Sequence, residues 1–336
     1  MKAKTNLRRF DVLDVTKFIC AWLVVVIHTS PLKPYSRIAD VLTAQGVCRI
    51  AVPLFFSISS FLLFRNMSEN REENMRRINR YCVRILFLYT FWSSVYTLGY
   101  IFLHYDSIAW GEPFVLDRIR LWILEASHYH LWYLLATIYA VPLIYAVYSK
   151  CGVDILHWVV PPLWILRCLQ FTYNWLDLLR PMFEWLQQYC DVVTNVFFCA
   201  VPLMSVGIVA IHRSETKSNQ YWGKHTALWA GIYLMELMIT YVLSPQKIHF
   251  EYLFSTPVLA YYLLCWLVTL DFSAKNVRLP RFLRECSIWI YCIHPLFILV
   301  WDMFVGVMGI RRFLTVALCS AVSGLGYVAV KSRKDC

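Results

Sequence analysis

Residues 10–32 read FDVLDVTKFICAWLVVVIHTSPL, and the reading of this stretch decides the fold. From Phe18 to Ile27 every side chain is apolar. Taken over 12–31, the run has the roughly 20 residues that a helix needs to cross about 30 Å of hydrocarbon. A basic start (Lys2, Lys4, Arg8, Arg9) precedes it, and no small-residue cleavage pattern closes it. It therefore reads as a retained membrane helix rather than a removed signal peptide.

The pattern recurs along the whole chain. Spans are expected at 12–31, 46–64, 81–103, 130–148, 153–172, 191–211, 226–244, 251–270, 286–304 and 313–330. The fifth is the weakest, because Pro161, Pro162 and Arg167 interrupt it. Composition agrees: of 336 residues, 59% are hydrophobic, 17% aromatic and only 16% charged, with a mean hydropathy of +0.53. A soluble domain carries about a quarter charged residues, and its surface has no room for this much apolar side chain. The expected fold is all-α, a polytopic membrane bundle of about ten transmembrane helices forming one domain over 1–336. The twelve Cys include no CxxC pair and lie mostly inside apolar runs, as buried inert thiols do. No metal site is expected.

A net charge of +11 would suit nucleic acid if the basic residues were pooled, but they sit in short clusters between apolar runs. That placement orients helices in a bilayer. Counted over alternate connections, Lys and Arg divide 21 to 8. The richer side receives the N-terminus, 65–84, Lys150, Arg213 to Lys224, 271–284 and the tail. The positive-inside rule then places both termini in the cytoplasm, with the chain in the plasma membrane. The longest outer loops are 104–129 and 173–190, and 112–126 has the apolar spacing of a helix lying along the interface.

Within this apolar background, a few polar groups carry the chemistry. Asp14, Lys17 and His28 fall on one stripe of the first helix. Lys17 and His28 differ by about 20° of rotation and about 16 Å of rise, and Asp14 lies about 40° from the His28 line. Such a stripe faces the protein interior or a water-filled cavity. The alternative is a snorkelling Lys17 and a satisfied interfacial His28. In the second span, Ser57, Ser59 and Ser60 read as small packing residues or as a polar lining. Arg76, Arg80 and Arg84 form an i,i+4 ladder entering the third span, suited either to phosphate binding or to plain anchoring. Arg71 reads as an ordinary loop charge. His128, His130 and Trp132 lie at the outer end of the fourth span, where an interfacial aromatic belt is the competing reading. His294 precedes Pro295 in the ninth span, where the missing N–H predicts a kink. Glu236 is a further ionisable group in mid-membrane.

Taken in order, these segments resemble the acyltransferase 3 family of bacterial integral-membrane acyltransferases. The resemblance rests on DVLDVTK at 11–17 followed by His28, where the family has an Arg or Lys separated by ten residues from a His. It rests also on LFFSISSFLLF at 54–64, the Arg80/Arg84 ladder, HLWYL at 130–134 and YCIHPLF at 291–297. It covers nearly the whole chain, and the first helix is also similar to the membrane half of membrane-bound serine racemases. Three positions depart from the pattern: Lys17 stands where Arg is commoner, and Ser60 where Gly is commoner. Residues 127–137 lack the Trp-Ser-x-x-x-Glu pattern of glycan-modifying members.

The resemblance implies transfer of an acyl group, commonly acetyl, from an acyl-coenzyme A to a hydroxyl of a cell-envelope glycan or lipid. It implies His28 as general base, with Asp14 and Lys17 beside it. Arg80, Arg84 and Ser59 would lie at the donor, and His130, Trp132 and His294 at the acceptor. A secondary transporter or flippase is the alternative, since it too carries intramembrane Lys, His and Glu.

Overall fold

The computed structural model describes residues 10–108, 110–173, 180–244, 250, 252–272 and 278–334. The basic residues Lys2, Lys4, Arg8, Arg9, Lys247 and Lys275 lie outside the described residues. Among those described, the regular structure is helical throughout. In chain order the helices are α1 (Asp11–Thr29), α2 (Arg37–Leu42), α3 (Ala51–Phe64), α4 (Arg71–His104), α5 (Glu112–Arg120), α6 (Trp132–Cys151) and α7 (Asp154–Arg167). There follow α8 (Arg180–Asn195), α9 (Val201–Arg213), α10 (Asn219–Leu243), α11 (Thr256–Thr269), α12 (Arg278–Phe304) and α13 (Ile310–Lys334).

Among the described residues, eight helical segments are long and apolar enough to cross a membrane. Two shorter pieces occupy the other expected spans. One is α11, of 14 residues; the other is α7, also 14 residues, prolonged by a wide π turn over Cys168–Thr172. With that turn the fifth expected span is helical over 154–172, although Pro161, Pro162 and Arg167 interrupt its apolar run.

Several helices extend past the apolar runs that announced them. Helix α4 begins ten residues before the expected start, because Asn70 caps it: its Oδ1 accepts from the Glu72 and Glu73 amides at 2.9 and 3.1 Å. The i,i+4 pairs Arg76–Glu72 and Arg77–Glu73 then support polar turns that no apolar pattern marks. Part of the expected loop 173–190 is likewise helical, as α8, which breaks its helical geometry at Cys190. The helix expected over 112–126 is present as α5 and a π turn over Leu121–Glu125.

The chain forms two compact units. The first comprises residues 1–51, 213–228 and 262–336; the second comprises 52–212 and 229–261. In the first, α1, α12 and α13 pack mutually. In the second, α6 packs against α4, α7 and α8. Within the second unit, α3 and α9 approach closely at Gly207 of α9. A Cβ there would overlap the Ser57 carbonyl oxygen and Ser60 Oγ and lie 2.9 Å from Phe61 N. Ser60 Oγ donates to Met204 O at 2.6 Å. Small residues at both surfaces are what lets two backbones meet this closely in a membrane protein.

The first unit also carries information about crossings. Helices α1 and α12 touch at two levels. Asp14 meets Arg284 near both helix starts, and His28 meets His294 further along both. The two helices therefore run parallel. Parallel direction requires an even number of membrane crossings from the start of one to the start of the other, so α7 and α11 either both cross or both do not.

Candidate active site

The first unit assembles the histidine site. Phe10 precedes α1, and Ser30 ends it in a left-handed turn (φ 41°), leaving His28 in the final turn. Its imidazole stacks on that of His294, with ring centroids 5.3 Å apart and planes 26° from parallel. His294 is fully buried, whereas His28 is partly exposed. His294 Nδ1 lies 3.0 Å from Ile290 O, one turn back on α12. A carbonyl only accepts, so Nδ1 is the donor, and whenever the ring is neutral Nε2 carries the lone pair. Helix α12 continues through Pro295 rather than ending there. The ring of Tyr291 lies 6.4 Å from that of His294.

Toward the helix starts, the Asp14 carboxylate lies 3.8 Å from Arg284 Nη1. Lys17 lies within electrostatic reach of both groups. The structure thus keeps Asp14, Lys17 and His28 on one helix and adds two residues from α12, His294 and Arg284. The sequence reading counted Arg284 only as an anchoring charge. The available signal was its placement ten residues, about 15 Å along a helix, before His294. That repeats on α12 the order of charge first and imidazole later seen on α1.

The remaining expected site residues lie in the second unit. Ser59 is buried, with its Oγ 3.2 Å from the Tyr133 hydroxyl. Tyr133 OH also donates to Phe55 O at 3.3 Å, so these hydroxyls tie α3 to α6. His130 is buried, its Nδ1 2.9 Å from that of His128, and the Tyr96 ring stacks on His128 at 4.2 Å. The Trp132 ring lies 5.9 Å from that of Phe56. Arg80 and Arg84 are exposed, on a face that continues as exposed Phe87 and Phe91. Arg80 Nε donates to Arg76 O at 3.3 Å.

Glu236, the ionisable group in mid-membrane, is held by four hydrogen bonds. Its carboxylate accepts from Phe254 N at 2.7 Å, Ser255 N at 2.9 Å, Ser255 Oγ and the Tyr173 hydroxyl. It caps the start of α11 from another helix, which accounts for a carboxylate at this depth. Among the described residues, no group of three or more His, Cys, Asp or Glu is placed to hold a metal ion.

The model of an acyltransferase domain, that of the acyltransferase 3 family, matches residues 10–330. The chain belongs to the acyltransferase 3 family. It is also similar to a serine/alanine racemase of Enterococcus gallinarum, at 24% identity over 293 residues, which is 84% of this chain and 40% of the relative. Two amino-acid racemases of Enterococcus faecalis match at 29% and 30% identity over 131 and 135 residues, about two-fifths of this chain and 18% of each relative. The chain thus spans two-fifths or less of these curated relatives. No solved structure matches. The chain is thus a multi-pass membrane protein of the acyltransferase 3 family.

Proposed function

We propose that the whole chain works as one domain that moves an acyl group, in the simplest case acetyl, from acyl-coenzyme A to a hydroxyl of a cell-envelope glycan or lipid. It does so in the plasma membrane with both termini cytoplasmic. The observation that carries this reading is the stacked His28–His294 pair in a family of acyltransferases.

His28 is the general base, because it is the partly exposed member of the pair and can meet a substrate. Its imidazole removes the proton of the acceptor hydroxyl as the oxygen attacks the thioester carbonyl carbon. The tetrahedral intermediate collapses with cleavage of the C–S bond. The imidazolium returns its proton to the departing thiolate, leaving an ester and free coenzyme A. His294, buried behind His28 and tied to Ile290 O, holds the ring in place. Asp14, Lys17 and Arg284 supply fixed charge toward the inner end of the same helices. Arg80 and Arg84 attract the donor's phosphates to the inner surface, with Ser59 lining the donor's approach and His130 and Trp132 the acceptor's.

The test is thiol release from acetyl-coenzyme A by the purified protein, with transfer to the acceptor followed by mass spectrometry of envelope glycans and lipids from cells with and without it. Vectorial movement of a solute with no thiol release would establish the transporter reading instead.

A further inference from the structure

A cavity of about 700 Å³ opens in the second unit, away from the residues assigned above. Its lining includes Arg71, Asn74, Tyr145, Tyr148, Lys150 and His212. These come from three separate parts of the chain: the start of α4, the end of α6 and the end of α9. All three belong to the Lys- and Arg-rich side of the proposed topology. We propose that this cavity seats the phosphorylated adenosine end of the acyl-coenzyme A donor, an inference that rests on the transfer reading above.

Its size lies within the range of about 300–1,000 Å³ typical of small-molecule sites, far more than a lone phosphate needs. Two basic side chains, Arg71 and Lys150, line it together with the imidazole of His212, whose Nε2 lies 3.3 Å from the Tyr148 hydroxyl. Two tyrosines offer faces for a base. The attraction comes from these side chains and not from the helix start, because Asn70 already accepts the first free amides of α4.

The wall is also built in advance. Asn74 is buried; its Oδ1 accepts from Ser68 N at 2.9 Å and its Nδ2 donates to Ser68 O at 2.7 Å. Arg77 Nη1 donates to Asn66 O, and Tyr145 OH donates to Arg71 O at 3.5 Å. A loop held in this way is ordered before the ligand arrives, which lowers the entropy cost of binding. Glu69 is the one carboxylate among the described lining residues, and it opposes an anion.

The experiment measures coenzyme A binding to the full chain in nanodiscs, together with KM and kcat for thiol release. Arg71→Ala and Lys150→Ala should each weaken binding and raise KM by about tenfold to 150-fold, the range for charge-assisted phosphate bonds, at nearly unchanged kcat. Glu69→Gln should tighten binding, an effect that misfolding does not produce. Arg76→Ala, which removes an exposed cation outside the cavity, should change neither. Dephospho-coenzyme A should bind the wild type more weakly and lose less on mutation.

Normal KM in both Arg71→Ala and Lys150→Ala, with wild-type turnover intact, would overturn the cavity assignment and leave the transfer reading standing. Coenzyme A binding that depends on these residues, with no thiol release, would instead overturn the transfer reading. Phosphatidylglycerol retained through Arg71 and Lys150, with no coenzyme A binding, would make the ligand a lipid headgroup and refute the assignment.

Discussion

Gly207→Ala tests the close packing of α3 against α9 in the second unit. The added methyl would overlap the Ser57 carbonyl oxygen and Ser60 Oγ and crowd Phe61 N. Two of these three atoms are backbone and cannot turn aside. Overpacking of this kind costs about 1–3 kcal/mol. Separating the helices also stretches the Ser60–Met204 hydrogen bond, worth about 1 kcal/mol. The expected loss is therefore about 2–4 kcal/mol, read as reduced resistance to thermal unfolding in detergent. Gly231, on α10, is the internal control, since a Cβ there meets nothing within 4 Å. Gly231→Ala should be neutral or stabilising by up to about 1 kcal/mol, because Ala is the better helix former. Adding Ser60→Ala to Gly207→Ala should recover little, because the Ser57 oxygen remains in the way. If Gly207→Ala unfolds with the wild type, or the Ser60→Ala change restores it fully, the close approach of α3 and α9 is not as described.

At the histidine pair, His28→Gln should lower acyl transfer by about 10²- to 10⁴-fold at matched membrane abundance. His294→Gln should cost less; the reverse order would move the base to His294. Glu236→Gln should destabilise the protein by about 1–3 kcal/mol, since the carboxylate accepts from Phe254 N, Ser255 N, Ser255 Oγ and Tyr173, while leaving kcat of the surviving enzyme unchanged. A marked fall in kcat with normal stability would return Glu236 to the substrate. For topology, a Cys introduced at Glu73 should resist membrane-impermeant reagents in intact cells, and a reporter after Lys334 should read as cytoplasmic. External labelling at either place would refute the cytoplasmic placement, and the two places lying on opposite sides would refute the even crossing number implied by the parallel α1 and α12.

Much of the molecule was legible before any coordinates, and the reason is the solvent. A bilayer core holds no water to satisfy the backbone, so crossings are helical and apolar: the run 18–27 announces α1, and the prolines and arginine within 153–172 fit the absence of that segment from the eight apolar spans. The periodicity of one helix likewise places Asp14, Lys17 and His28 on a common stripe. The spacing also marked His294, but only as one histidine among several. Only the tertiary structure paired it with His28 and set Arg284 against Asp14, because nothing local relates α1 to a helix more than 250 residues later. The same holds where a residue's surroundings contradict its local look. Arg71, an ordinary loop charge by sequence, lines a cavity, whereas the Arg80–Arg84 ladder stays exposed. Glu236 is by sequence only an ionisable group in mid-membrane, and its donors come from Tyr173 and from the turn before α11. The sequence determines which segments enter the membrane, through transfer energy summed along each run. Which polar groups meet there depends on contacts between distant segments, and these are settled by how the helices pack.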